Sequence, residues 1–116
     1  MTEQPAARVT AAGDTVTVAL HGEVDVLNVE QVRVAVHEAI AARPAAITVD
    51  LRRLSFIDST GLGALIFGFQ RARDAGIAYR LANADRMVHQ VLALSGLLEV
   101  VELVQEPGAD TEAAAG

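Results

Sequence analysis

Two hydrophobic periods take turns along this chain, and their order restricts the fold more than any single residue does. Val16, Val18 and Leu20 alternate with Thr15, Thr17 and Ala19, the period of a strand with one buried face. A shorter strand is predicted over 8–11, with Gly13-Asp14 as the turn, so the two read as a hairpin. Asn28 then offers an N-cap, and Val29, Val32, Val36 and Ile40 follow at helical spacing. Glu30, Arg33, His37 and Glu38 fall mostly on the opposite side, and Pro44 ends the helix. Ile47-Thr48-Val49-Asp50-Leu51 is short, β-branched and apolar, which predicts a buried central strand. A loop is predicted over 52–58 and a helix over 59–74. Leu62, Leu65, Ile66, Phe69 and Ala72 make its apolar stripe, and Gly76 is its stop. Residues 77–82 read as a strand. Asp85 caps a third helix, closed by Ser95-Gly96, and 99–104 form the last strand. The order β-β-α-β-α-β-α-β implies an α/β fold. One mixed sheet of about five strands, mostly parallel after the hairpin, packs with three to four helices.

A length of 116 residues fits one domain, placed at 7–105. Residues 1–6 and 106–116 read as tails, because the second has no bulky apolar residue to offset the entropy of ordering it. The chain has no cysteine, which excludes disulfides, thiolate catalysis and sulfur-ligated zinc. Its formal net charge of −6 argues against nonspecific nucleic-acid binding, which needs a basic footprint. No apolar window reaches the ~18 residues of a membrane span, and the N-terminus carries no leader pattern. A cytoplasmic protein with no membrane insertion is therefore expected.

The informative stretch runs from Asp50 through Asp58-Ser59-Thr60-Gly61-Leu62-Gly63. It leads from a strand end into a helix N-terminus, on the edge where parallel sheets carry their functional loops. Asp58, Ser59 and Thr60 sit at the positive end of the helix dipole, where side-chain oxygens accept from unpaired N–H groups. Asp58 or Ser59 reads first as an ordinary N-cap. Thr60 reads as a hydroxyl bonded to its own helix backbone. Gly61 and Gly63 each cost ~1 kcal/mol against Ala in a helix interior, which suggests close approach by the sheet or by a partner. Enzyme patterns fit poorly. Ile57 replaces the first glycine of a nucleophile elbow, Gly61, Gly63 and Gly68 miss the dinucleotide spacing, and no Lys exists for a phosphate loop. His21, His37 and His89 share no metal-ligand spacing, so neither metal nor cofactor is expected.

Phe56-Ile57-Asp58-Ser59-Thr60-Gly61-Leu62-Gly63 resembles the signature of the anti-sigma factor antagonists, stand-alone STAS domains of bacteria. Leu20-His21-Gly22-Glu23-Val24-Asp25 resembles that family's turn after its second strand, and Leu94-Ser95-Gly96-Leu97 its Ser-Gly-Leu near the last helix. The resemblance covers roughly 7–105 and implies a regulator, not an enzyme. It implies that Ser59 is phosphorylated by a serine kinase that is also the anti-sigma factor, with Thr60 as a second candidate. The unphosphorylated form would bind that anti-sigma factor and free the sigma factor, and a PP2C-type phosphatase would restore it. Asp25, Asp58, Ser59, Thr60, Gly61 and Leu62 would then contact the partner. Phe56, Ile57, Val24 and Val26 are candidates for apolar contact around them.

Two rival functions stand beside that one. The first is a STAS accessory subunit of a transport or stress-signalling complex. The second is a small nucleotide-binding protein or hydrolase, with Arg52 and Arg53 near the strand end as anion contacts.

Overall fold

The computed structural model describes residues 4–106. Its elements are β1 (Ala7–Ala12), β2 (Thr15–Val24), α1 (Val29–Ala41), β3 (Ala46–Ile57), α2 (Ser59–Asp74), β4 (Ala78–Ala82), α3 (Arg86–Ser95), a 3₁₀ turn (Leu97–Glu99) and β5 (Glu102–Val104). The five strands form one sheet in the order β1-β2-β3-β4-β5. Only the β1–β2 pair is antiparallel. Gly13, at φ 61°, supplies the left-handed residue that a two-residue hairpin turn needs.

The core follows the register. Val18 of β2 pairs with Val49 of β3, and Val49 with Leu81 of β4; all three are fully buried. Val16, Ile47 and Tyr79 form the next buried row. Helix α2 lies against this face, because the Tyr79 hydroxyl donates to the Leu65 carbonyl at 3.0 Å. Burial holds that phenol neutral well beyond its ordinary range. Gly68 brings α2 close to α1: a Cβ there would stand 2.8 Å from Val36 Cγ1 and 2.9 Å from the Tyr79 oxygen.

Three expectations need correction. The loop expected over 52–58 is mostly strand, and β3 runs on to Ile57. Its buried residues Leu51, Leu54 and Ile57 recur every third position. Ala19 pairs with Asp50 but His21 with Arg53, and Gly22 pairs with Leu54 but Glu23 with Phe56. Each step puts one extra residue in β3, so two bulges turn a period of two into a period of three. The Gly22-Glu23-Val24 segment is correspondingly strand, with Gly22 at φ 75° between the two shifts. The last strand is shorter than 99–104. Leu97 and Val101 are buried at a helical spacing of four, and the chain coils through a 3₁₀ turn before β5.

Two residues assigned to the tails are held by the domain. Ala6 is 4% exposed, its N–H donates to Gln31 Oε1 at 2.7 Å, and its carbonyl accepts from His21 N–H. Glu106 N–H donates to Asn83 Oδ1, and its carboxylate meets Arg80 at 3.2 Å. The expected tail residues 1–3 and 107–116 lie outside the described residues.

Candidate functional site

Strands β2 and β3 end side by side. Val24 pairs with Ile57, and both are buried. Asp25 and Asp58 therefore leave the sheet as neighbours, about one strand spacing (~5 Å) apart. The Asp58 N–H donates back to the Val24 carbonyl at 3.1 Å and ties the two exits together.

The Asp25 exit is a closed loop. Asp25 Oδ1 accepts from Leu27 N–H at 3.0 Å, and the Asp25 carbonyl accepts from Asn28 and Val29. Contrary to the expectation from sequence, Asn28 does not cap α1 with its side chain. Its Oδ1 accepts from Asp25 N–H at 2.9 Å and its Nδ2 donates to the Glu23 carbonyl at 2.7 Å. An Asn offers donor and acceptor together, and here both are spent on closing the loop. The loop carries Val26 and Leu27 outward, 68% and 90% exposed. Leu27 escaped the sequence reading, because nothing in the spacing distinguishes an outward leucine from a staple for α1.

At the second exit Asp58 is the N-cap of α2. Its backbone is extended and its Oδ1 accepts from Gly61 N–H at 3.0 Å. The Thr60 hydroxyl donates to the same oxygen at 2.6 Å. Thr60 thus bonds the capping carboxylate and not its own helix backbone, which corrects the sequence reading. The Thr60 hydroxyl, then the Gly61 amide, hold the Asp58 carboxyl below its ordinary pKa of 3.8. Since the folded pKa is the lower one, this contribution to stability is complete above about pH 4 and disappears as pH falls through the lowered value. Asp58→Asn keeps a cap but removes the titration. Its melting temperature is expected to fall less steeply than that of the parent between about pH 4 and pH 2, measured by circular dichroism.

Ser59 follows the cap and is exposed, with no side-chain hydrogen bond among the described residues. The two glycines of the motif differ. Gly61 is buried, and a Cβ there would stand 2.6 Å from Ile57 Cγ1 and 2.9 Å from Val24 Cγ1. Gly63 is exposed and a Cβ would meet nothing within 4 Å. Close approach by the sheet therefore explains Gly61 alone. Leu62 packs half-buried against the core, while Phe56 is 46% exposed. Of the residues considered for apolar contact, Val24 and Ile57 belong to the core. Asp25, Asp58, Ser59, Thr60, Gly61 and Leu62 all lie where β2 and β3 end, and the exposed apolar residues Val26, Leu27 and Phe56 belong to the same two segments. Ser95-Gly96-Leu97 ends α3: Gly96 is left-handed at φ 85°, and Ser95 Oγ donates to the Leu92 carbonyl and accepts from Leu97 N–H.

Among the described residues no three His, Asp or Glu side chains gather as a metal ion requires, and no helix is long and apolar enough to cross a membrane. The sequence matches the STAS domain family over residues 6–115. It is 31% identical over 87 residues to an anti-sigma F factor antagonist of Paenibacillus polymyxa, covering 74% of each chain. The fold superposes on the unphosphorylated anti-sigma factor antagonist SpoIIAA with a TM-score of 0.76 at 26% identity, over 95% of this chain and 96% of that one. It superposes on phosphorylated SpoIIAA, described as a Bacillus cell fate determinant, with a TM-score of 0.70 at 25% identity, over 96% and 100% of the two chains.

Proposed function

Because the chain belongs to the STAS domain family, we propose that it is an anti-sigma factor antagonist switched by phosphorylation of Ser59. The observation that carries this reading is the state of Ser59 itself. Its hydroxyl is exposed and unengaged, directly beside a cap already made by Asp58. A kinase can therefore take it without dismantling the helix. In the unphosphorylated form this edge docks on an anti-sigma factor that is also a serine kinase, and the sigma factor is released. A PP2C-type phosphatase reverses the modification. Asp25, Asp58, Ser59, Thr60 and Leu62 form the partner surface, with Val26, Leu27 and Phe56 as its apolar contacts, while Gly61, buried against Ile57 and Val24, seats the helix beneath it.

Phosphate adds about −1.5 to −2 charges at pH 7. It arrives beside Asp58 and near Asp25, on a chain whose net charge is already −6. The helix dipole tolerates that charge, so the fold is retained. The likeness to SpoIIAA in both its forms supports that reading. An interface must instead strip water from three neighbouring anions, which is costly. The modification thus acts on docking and not on folding.

The test is incubation of the chain with its anti-sigma kinase and ATP, followed by peptide mass mapping. One phosphate on Ser59, lost in Ser59→Ala, is expected. No phosphate, or phosphate only outside residues 59–60, would reject the reading. Leu27 provides a second check. It is 90% exposed and supports no core contact, so Leu27→Ala should leave the melting temperature unchanged. It should weaken partner affinity by about tenfold or more, read by titration calorimetry.

A further inference from the structure

Cations are scarce in this chain, nine arginines against fifteen acidic residues, yet four of the nine lie on strands of the sheet. They are Arg8 on β1, Arg52 and Arg53 on β3, and Arg80 on β4. Arg80 is paired with the Glu106 carboxylate, and Arg52 donates to the Glu106 carbonyl at 3.0 Å. Arg8 and Arg53 are different. The only ion pairs among the described residues are Arg33–Glu30 and Arg80–Glu106, so among those residues neither Arg8 nor Arg53 has a carboxylate partner. Both line one cavity of about 350 Å³ with His21, Ala19, Gln4 and Pro5.

The register explains why they converge. Arg8 pairs with Ala19, and two residues on His21 pairs with Arg53, across the first bulge of β3. Three adjacent strands each supply one nitrogen-bearing side chain within two residues of one another along β2. Ala19 is small and leaves the space between them open. Neither Asp50 nor Glu23 forms an ion pair with the group. Asp50 accepts from the Arg52 N–H and the Asn83 amide, and Glu23 lines an adjoining cavity. Bringing like charges into a concavity raises the local potential and favours an anion. The other cation-rimmed groove, between α1 and α2, is smaller, and its arginines are already engaged. Arg33 pairs with Glu30, and Arg71 lies 5.4 Å from the centre of the Phe67 ring.

We propose that the cavity between β1, β2 and β3 is a binding site for a phosphomonoester. Arg8 and Arg53 hold the dianion by charge-assisted hydrogen bonds, the geometry at which guanidinium excels. His21 donates a further bond, and the organic body of the ligand lies along Ala19 and Pro5. A cavity of 350 Å³ suits a small ligand. The same group can arrive on a free metabolite or on a lipid headgroup.

The test is an NMR titration of the full chain with glycerol 3-phosphate, alongside sedimentation with phosphatidylcholine vesicles carrying phosphatidic acid. Saturable shifts at Arg8, Ala19, His21 and Arg53 are expected, with the amides of residues 59–62 unmoved. The double variant R8Q/R53Q should weaken binding by at least about tenfold, since two charged hydrogen bonds are lost. Ala19→Leu, which fills the cavity and keeps every charge, should weaken it as well. Binding confined to vesicles, and abolished by both variants, assigns the same site to a lipid headgroup. No saturable binding of either probe, shifts only at the N-terminus of α2, or binding indifferent to both variants would overturn the proposal.

Discussion

Gly61→Val is expected to lower the melting temperature by about 10 °C, whereas Gly63→Ala, two residues further along, should raise it by a few degrees. The opposite signs come from what lies beneath each glycine. A Cβ at Gly61 meets Ile57 Cγ1 at 2.6 Å and Val24 Cγ1 at 2.9 Å. Both neighbours are buried and β-branched, with few rotamers to retreat into. The collision is with stiff side chains at the ends of β2 and β3, so α2 itself must shift. Overpacking of this kind costs about 1–3 kcal/mol, and each kcal/mol moves the melting point of a domain this size by about 4–8 °C. Gly63 has nothing within 4 Å and no left-handed backbone. There Ala recovers about 0.5–1 kcal/mol of helix propensity and chain entropy without meeting anything. Melting of the two variants by circular dichroism checks both signs. A Gly61→Val variant as stable as the parent would mean that α2 does not depend on this contact for its seat.

The second large effect is on binding. Ser59→Asp should keep the stability of the parent within about 1 kcal/mol, since the change is exposed and the cap is already made by Asp58. It should also lower affinity for the anti-sigma factor by about a hundredfold. Two unit charges 4 Å apart interact by about 1 kcal/mol in water and about 4 kcal/mol near a protein surface. An added anion beside Asp58 in a closing interface lies between those limits, and ~2.7 kcal/mol is a factor of about a hundred. Ser59→Asn, of similar size but neutral, should bind within about tenfold of the parent. Titration calorimetry of the three proteins separates charge from bulk. If the Asp and Asn variants lose affinity equally, steric exclusion replaces electrostatics as the cause.

The sequence made the order of elements legible, since Val16, Val18 and Leu20, and Val29, Val32 and Val36, carry clean periods. The Asp58 cap was legible for the same reason: a capping residue stands directly before an apolar helix. What escaped lay in the bulges. Leu51, Leu54 and Ile57 look like a loop in one dimension because two extra residues disturb the alternation. Only pairing with β2 makes them a strand. Asn28 shows a second kind of blindness. Its identity fits an N-cap, but the carbonyl of Glu23 and the amide of Asp25 come within its reach only once β2 has run on to Val24. Leu27 was hidden because outward direction is a property of the closed loop, not of the residue. Gly61 and Gly63 looked alike in sequence and differ only in what the fold places under them.

The central claim is that charge at Ser59 decides whether this edge docks. The most direct measurement titrates the anti-sigma factor with one preparation of the chain before and after stoichiometric phosphorylation of Ser59, with a melting curve of each form. The expected result is tight binding before, a loss of about a hundredfold or more after, and superimposable melting curves. Equal affinity of the two forms, or a loss of binding that accompanies unfolding of the phosphorylated chain, would contradict it.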